Sequence, residues 1–297
     1  MQRRAPVPIA VVTIAALLWA PPALAAPEAD PPVSATPADE PSTPEPTAPT
    51  EPEPTEPAEP ELTEVPARAG VGPAGRKVRF TTTLGRSSKG RAIRAWYVGA
   101  GKPRQVLVVL GQMHGDEKAG KATAHWVRHR LRPKKGTAVW VVPTMNPDGD
   151  SAGRRQNARG VDLNRNWPTS GWQPTPRGSR YWSGPKPGSE PETKAMMAFL
   201  RKVKPDYIAS IHQPLHGIGK TGEDVKWEKR LARHLNLPRK HFGVSQGKGV
   251  SPTLTGWYNH RFGKHGTATT IEYGASPGKR YRSRTAGLGI ARAAKVR

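Results

Sequence analysis

The sequence predicts an α/β fold, in which a mixed, mostly parallel β-sheet is sandwiched between helices and preceded by a disordered arm. Two observations predict it. Within residues 68–297, short runs of apolar and β-branched residues alternate with segments of helical length. Ahead of them lies a stretch dominated by proline and acidic residues, which cannot bury a hydrophobic core.

Four segments are predicted as buried strands, at residues 106–110, 138–142, 207–211 and 267–271. Their apolar and β-branched composition is typical of strands that are covered on both faces. Helices are predicted at residues 118–131, 191–203 and 223–235, and a basic helix is expected near the end of the chain. Strands that alternate with helices in this way favour a parallel sheet between two helical layers.

The first 25 residues predict a secretory signal peptide. Arg3 and Arg4 precede an apolar run from about residue 7 to residue 20, and Ala23-Leu24-Ala25 offers a cleavage site after Ala25. The apolar run is too short to span a bilayer as a helix. We therefore expect a mature protein without a membrane span that is secreted or held at the cell envelope.

The predicted linker, residues 26–67, is acidic. Residues 27–67 contain 11 acids, 13 prolines and no Lys or Arg, a composition that predicts an extended, polyproline-like, disordered segment. It either acts as a solvated spacer or folds back onto the basic part of the chain. The spacer is favoured, because charge complementarity alone is non-specific.

Residues 68–297, the predicted catalytic domain, have the opposite charge. They hold 45 of the 47 Lys and Arg residues and 12 of the 23 acids, a net charge of +33. A field of this size attracts polyanions, and for an exported protein we expect anionic envelope polymers rather than a specific nucleic acid. The chain has no cysteine, which excludes a disulfide scaffold and a cysteine hydrolase. Any metal must therefore bind His, Asp or Glu.

A possible metal-binding pair follows the first predicted buried strand. In His114-Gly115-Asp116-Glu117 an imidazole and a carboxylate are three residues apart. Zinc accepts both ligand types, and catalytic zinc sites use three protein ligands. The pair alone is weak evidence, because His-x-x-Glu is common. In the alternative interpretation, His114 caps a turn and Glu117 begins the helix.

Further blocks strengthen the metal interpretation. Asn146-Pro147-Asp148-Gly149 follows the second predicted strand, and residues 160–167 have the sequence GVDLNRNW. His212 then ends the third strand and Glu272 ends the fourth. With these blocks in this order, residues 77–275 resemble the zinc carboxypeptidases of the carboxypeptidase A/B type, in particular the short bacterial murein peptide amidases. The resemblance implies a zinc carboxypeptidase-like fold.

The resemblance also implies a metal centre. One Zn²⁺ would be bound by His114, Glu117 and His212. Asp162 would hold one of the zinc-bound imidazoles in the correct tautomer, as the outer groups of such sites usually do.

The remaining residues of the implied site would act on the substrate. Asn164 and Arg165 would bind a terminal carboxylate, for which a guanidinium offers two parallel donors. Glu272 would be the general base that activates zinc-bound water and then protonates the leaving amine. Arg155 would face the oxyanion, and its competitors for that role are Arg154 and Arg159.

The sequence departs from the digestive members of that family at two points. Their mobile tyrosine would fall at residues 248–251, where this chain has none, so that Trp257 or Tyr258 is the candidate replacement. Gln213-Pro214 follows the third ligand in place of serine and tyrosine.

His216 is interpreted as a loop residue rather than a ligand of a second metal ion. Trp167, Trp172, Tyr181 and Trp182 either floor a groove or pack a long loop.

The pocket for the leaving residue constrains the substrate. Residues 241–271, which line it in the family, contain no Asp or Glu. This argues against selection of C-terminal Lys or Arg, unless an acid comes from elsewhere in the chain. A diaminopimelate-type residue, with an ammonium and an extra carboxylate, remains compatible.

We therefore expect an exported zinc peptidase or amidase that cuts an amide bond beside a free terminal carboxylate, in cell-wall (murein) peptides. A general metallocarboxypeptidase acting on protein C-termini is the close alternative. Two different classes of protein stay open as well: a non-catalytic, basic envelope-binding protein and a polyanion binder driven by charge alone.

Overall fold

The computed structural model describes residues 77–243 and 248–297. The predicted signal peptide, the linker and the predicted start of the domain at residue 68 lie outside these residues. The strands of the described part form one sheet: β1 (Lys77–Arg86), β2 (Ala92–Ala100), β3 (Gln105–Leu110), β4 (Thr137–Val142), β5 (Tyr207–His212), β6 (Gly217–Gly219), β7 (Arg239–Lys240) and β8 (Thr267–Glu272).

The sheet is mixed, with order β1-β2-β4-β3-β5-β8-β6-β7. Its centre is parallel, because β4, β3, β5 and β8 all run in the same direction. On one side β2 and β1 continue it antiparallel, and on the other side β6 pairs antiparallel with β8. The prediction of a mixed, mostly parallel sheet is confirmed.

The described helices cover both faces of the sheet: α1 (Ala119–Arg130), α2 (Pro147–Ala152), α3 (Pro191–Val203), α4 (Val225–Leu235), α5 (Leu254–Phe262) and α6 (Ala286–Ala293). Within the described ranges, none of them is long and apolar enough to cross a membrane.

Alternating side chains of the central strands build two separate cores. On β3, Val106, Val108 and Leu110 pack with residues of α3 and α5, while Leu107 and Val109 pack with residues of α1, α4 and α6. Successive strand residues point to opposite faces, so a continuous apolar run is required where both faces are covered. This is why the sequence could predict β3 and β4, and it confirms the sandwich of helices around the sheet.

Candidate metal centre and active site

The predicted metal ligands and the predicted base lie together at the carboxyl edge of the parallel strands. His212 is the last residue of β5 and Glu272 the last residue of β8, and the two are direct partners in the strand pairing. His114 and Glu117 lie in the turn between β3 and α1. The strand β3 is the neighbour of β5 on the side opposite to β8. Ligands commonly bind at this edge of an open α/β sheet.

Three of these side chains form a compact, buried donor set. Nδ1 of His114 lies 2.8 Å from Glu117 Oε1, and Nδ1 of His212 lies 3.1 Å from Glu117 Oε2. The two Nδ1 atoms are 3.3 Å apart. One donor atom from each residue lies within 4.8 Å of the others, and it is the one such cluster in the part of the chain that the structure describes.

Neighbouring groups orient both imidazoles. Asp162 Oδ1 lies 3.0 Å from His114 Nε2, and the hydroxyl of Ser210 lies 3.0 Å from His212 Nε2. With each Nε2 engaged, each Nδ1 faces the common point beside Glu117. Two imidazoles and one carboxylate are a ligand set that zinc accepts, and partners on the outer ring nitrogens are usual in zinc sites. The residues present therefore fit a zinc ion.

Charge pairing holds this centre together. Burial lowers the pKa of the His114 ring, but Asp162 and Glu117 outweigh it and raise that pKa to about 9. Burial would raise the pKa of Asp162, yet His114 and Arg155 hold it well below its usual range. Burial would also raise the pKa of Glu117, but its interactions with His114 and His212 outweigh burial and lower that pKa. A metal ion that binds His114 therefore displaces a proton.

Arg155 lies beside the centre. Its Nε donates to Asp162 Oδ2 at 2.9 Å, and one of its terminal nitrogens donates to Glu117 Oε1 at 3.2 Å. The competitors proposed for the oxyanion role lie elsewhere: Arg154 is exposed and donates to the carbonyl of Asn157, and the side chain of Arg159 is 57% exposed. Of the three arginines, the structure brings Arg155 into contact with a residue of the donor set.

Glu272 is a buried carboxylate with a single backbone donor. Its Oε2 accepts a hydrogen bond from Leu215 N at 3.2 Å. Burial raises its pKa, and the charge of Glu117 adds to that rise, while His212 opposes it. A carboxylate with a raised pKa is suited to accepting and returning a proton near neutral pH.

Asn164 and Arg165 lie in one 3₁₀ turn, Leu163–Arg165, that Asp162 begins. Asp162 Oδ1 accepts a hydrogen bond from Asn164 N at 2.9 Å, so the same carboxylate orients both His114 and this turn. Asn164 Oδ1 accepts from Leu254 N at 3.2 Å, which leaves the amide nitrogen of Asn164 as its donor toward the cavity that it lines.

Asn157 fixes the loop that carries these residues. Its Oδ1 accepts from the backbone nitrogens of Arg159 and Val161, both at 3.0 Å. Its Nδ2 donates to two buried carboxylates, Glu190 at 2.7 Å and Glu192 at 3.1 Å. Asn157 was not identified from the sequence, because the two carboxylates that it contacts are more than 30 positions away. Ser210 was also missed, although its position two residues before His212 on one strand places both side chains on the same face.

A cavity of about 470 Å³ opens beside Asn164 and Glu272. Its walls include Lys220, His241 and Glu223. Glu223 lies between β6 and α4, outside residues 241–271, so the acid that this stretch lacks comes from elsewhere in the chain. The expectation against a pocket for basic side chains allowed for an acid from elsewhere in the chain, and Glu223 is such an acid, so residues 241–271 alone do not exclude such a pocket.

The residues considered as replacements for the mobile tyrosine are buried. Trp257 is 3% exposed and Tyr258 is fully buried in α5, where both rings pack against Phe262. The proposal of either residue as a mobile substitute is therefore wrong. His216 is exposed in the loop between β5 and β6, as expected for a loop histidine.

Known proteins are similar to this chain both in sequence and in structure. Residues 77–215 match the family model described as zinc carboxypeptidase. Murein peptide amidase A of Escherichia coli K12 is 34% identical over 171 residues, which cover 53% of this chain and 69% of that protein. Murein peptide amidase A of Vibrio campbellii is 33% identical over 146 residues, covering 44% and 56%.

Solved structures are similar in the same way. The murein-tripeptide amidase of Escherichia coli O157 aligns with a TM-score of 0.57 and 25% identity, over 78% of this chain and 96% of that one. Carboxypeptidase A of Helicoverpa armigera aligns with a TM-score of 0.57 at 16% identity, over 74% and 67%, which indicates a shared fold.

Proposed function

This chain belongs to the zinc carboxypeptidase family, and from that premise we propose that it is an exported hydrolase of murein-derived peptides, cutting the amide bond beside a free terminal carboxylate. One observation carries the proposal: the buried donor set His114, Glu117 and His212 lies beside Glu272, and Glu272 lines one cavity together with Asn164. Ligands, a base and a carboxylate-binding group are thus available in one place.

The turn at Asn164 and Arg165 binds the terminal carboxylate of the substrate. A terminal carboxylate needs donors and positive charge, which the amide nitrogen of Asn164 and the guanidinium of Arg165 supply. Arg165 is itself held by a hydrogen bond to the carbonyl of Asn164 at 2.8 Å. The two donors therefore move as one unit, and the peptide is oriented with its terminal residue in the cavity.

Proton transfer falls to Glu272. Its carboxylate takes a proton from the attacking water as oxygen adds to the amide carbon. It then gives that proton to the leaving nitrogen as the C–N bond breaks. The second proton of the water also passes to the amine, so the products are a new carboxylate and an ammonium group, and Glu272 is ionised again.

Arg155 stabilises the charge that develops on the carbonyl oxygen. When water is excluded, a preorganised cation at that point stabilises the transition state by about 3 kcal/mol. Zinc bound by His114, Glu117 and His212 would lower the pKa of a water molecule and polarise the carbonyl.

The test is the release of amino groups by the full chain, with and without chelator, from a tripeptide ending in diaminopimelate and from ordinary C-terminal peptides. We expect zinc-dependent cleavage, and at least a ~100-fold loss of kcat in Glu272→Gln with zinc content unchanged. Asp206→Asn is the matched control, because Asp206 bonds to Val106 N at the opposite end of β3. No turnover by a folded, zinc-loaded chain would instead favour a non-catalytic envelope-binding protein.

The chemistry of the cavity supports a leaving residue that carries both charges. Glu223 suits an ammonium, and Lys220, His241 and His260 suit a carboxylate. Diaminopimelate has both groups on its side chain, whereas Lys or Arg has only a cation. We expect Glu223→Gln to weaken cleavage of the diaminopimelate peptide, and Lys220→Gln to do the same.

Glu223 also supports a second candidate, a general carboxypeptidase that removes basic residues from protein C-termini. For this function, Glu223→Gln would reduce the cleavage of peptides that end in Lys, while Lys220→Gln would leave that cleavage unchanged or improve it. The response to Lys220→Gln therefore separates the two candidates.

Export and attachment to anionic envelope polymers belong to the same proposal. The net charge of +33 on residues 68–297 supports attraction to such polymers. We expect binding of the full chain to isolated cell walls to fall steeply with salt and to persist in the presence of chelator. Equal binding to neutral and anionic polymers would contradict this part of the proposal.

A further inference from the structure

Two like charges lie close together in the site just described. Arg155 and Arg165 both approach Asp162, and Arg155 is bonded to it. Burial lowers the pKa of Arg165, and the neighbouring charge of Arg155 lowers it further, while Asp162 opposes both effects. The ion pairs of Arg155 with Asp162 and Glu117 offset part of the repulsion between the two cations.

The ring of Tyr181 contacts both cations. The central guanidinium carbons of Arg155 and Arg165 each lie 5.3 Å from the centre of that ring. Cations within about 6 Å of an aromatic face are attracted by its electrons. Because the ring is neutral, it attracts both arginines without adding a further negative charge to those that Asp162 and Glu117 already place beside Arg155.

Tyr181 differs from the structural aromatics nearby by its exposure. Its side chain is 47% exposed, whereas Trp167 and Trp257 are almost completely buried. Within the described residues, no group forms a hydrogen bond with its phenol hydroxyl, although its carbonyl accepts one from Thr175. A large, half-exposed aromatic residue that lies beside two arginines is placed to meet a ligand.

The backbone around Tyr181 is fixed to the active-site loop. Asp162 N donates to the carbonyl of Trp182, the next residue, at 2.8 Å. The hydroxyl of Thr175 donates to the carbonyl of Tyr181 at 3.0 Å. The position of the ring is therefore coupled to the residue that orients His114, and it does not depend on a loosely held segment.

We propose that Tyr181 is a substrate-contacting residue, whose ring covers the guanidinium groups of Arg155 and Arg165 and whose hydroxyl donates a hydrogen bond to the bound peptide. This inference rests on the proposed function, since the peptide is the ligand that the two arginines bind. It deepens that function by extending substrate binding beyond the turn at Asn164 and Arg165, to the later part of the same loop.

The test compares Tyr181→Phe and Tyr181→Ala in the full, zinc-loaded chain, with the diaminopimelate tripeptide as substrate. Tyr181→Phe keeps the ring and loses the donor, so KM rises about 3- to 10-fold, with kcat within about twofold of the unmodified chain. Tyr181→Ala also releases both arginines, so kcat falls as well and kcat/KM drops by at least about tenfold more. Tyr207→Phe is the matched control, because Tyr207 has Arg230 near its ring and its hydroxyl but begins β5, at the end opposite to His212.

Two results would overturn the inference. If Tyr181→Phe had the KM and kcat of the unmodified chain while Tyr181→Ala did not, Tyr181 would act only through its ring. The proposed hydrogen bond from its hydroxyl to the substrate would then be wrong. If both variants had the KM and kcat of the unmodified chain, neither part of the inference would hold. Tyr181→Phe decides the outcome even if the alanine variant folds poorly.

Calorimetric titration of the Glu272→Gln chain with the same tripeptide separates this inference from the proposed function. Binding that weakens 3- to 10-fold on adding Tyr181→Phe supports the inference without turnover. Binding that is unaffected overturns the inference alone. The absence of both binding and turnover in the unmodified chain would overturn the proposed function, and this inference with it.

Discussion

Replacement of Asn157 by alanine would test how the active-site loop is held. The side chain of Asn157 makes four hydrogen bonds: it accepts from the backbone nitrogens of Arg159 and Val161, and it donates to Glu190 and Glu192. Asn157 and both glutamates are buried. Alanine therefore leaves two backbone donors and two carboxylates without this partner.

The magnitude follows from these four contacts. Each hydrogen bond contributes about 1 kcal/mol net, and buried groups left without a partner cost about 1–3 kcal/mol. Glu190 still accepts a hydrogen bond from Ser189, and Glu192 still accepts one from Ser88, so each carboxylate retains a donor. We expect a loss of about 3–5 kcal/mol in the free energy of unfolding, which corresponds to a fall in Tm of about 6–20 °C for a domain of this size.

The assay is urea and thermal unfolding followed by circular dichroism, with Gln173→Ala as the control for an exposed amide in the following loop. We also expect a rise in KM that exceeds any change in kcat, because the loop from Asn157 leads directly into Asn164 and Arg165. A loss below about 1 kcal/mol in Asn157→Ala would refute the reasoning. It would show that the two glutamates and the two backbone donors find other partners.

Three further predictions concern single side chains. Ser210→Ala removes the partner of His212 Nε2 and should weaken zinc binding by about 10- to 100-fold in a chelator competition; unchanged affinity would exclude an orienting role. Arg165→Lys should raise KM about tenfold or more for peptides with a free terminal carboxylate, and should have little effect on their amidated forms; equal effects on both would contradict carboxylate binding. Burial would raise the pKa of Asp148, but hydrogen bonds from Arg91 and from the backbone of Lys89 outweigh it and lower that pKa. Asp148 therefore stabilises the folded chain at a pH above its pKa in the unfolded chain. This contribution is lost as the pH falls through its lower pKa in the folded chain. Asp148→Asn should therefore flatten the acid side of the stability profile, and a profile as steep as before would rule this out.

The central strands could be predicted from sequence, and the edges of the sheet could not. The strands β3 and β4 are buried on both faces, so their composition alone identifies them. In β1, threonine and arginine interrupt the apolar residues, because one strand edge is open and the segment is only partly covered. The strands β6 and β7 have three and two residues, too few for any periodicity. The short helix α2 contains glycine, and its start depends on a hydrogen bond from Gly149 N to the side chain of Asn146.

For the site, the sequence predicted residues within motifs and missed those that come together only in three dimensions. His114 and Glu117 are three positions apart, so one short pattern contains both. Glu223 lies in a loop far from any motif, and only the folded chain brings it to the cavity. Tyr181 was named from the sequence only as a residue that floors a groove or packs a loop, and only the folded chain brings its ring to the arginines. Their contributions depend on where a loop lies, which local composition does not determine.

The pairing of His212 with Glu272 has a consequence for how such a protein can change. Both residues belong to neighbouring strands joined by a continuous ladder of backbone hydrogen bonds, so the ladder itself sets the spacing between the proposed metal ligand and the proposed base. Insertions or deletions in the loops that follow these strands would leave that spacing intact. Glu223 and Tyr181, by contrast, belong to loops and can be exchanged. Grafting new loops onto the same strands should therefore alter which peptide is accepted while the hydrolytic machinery is inherited unchanged.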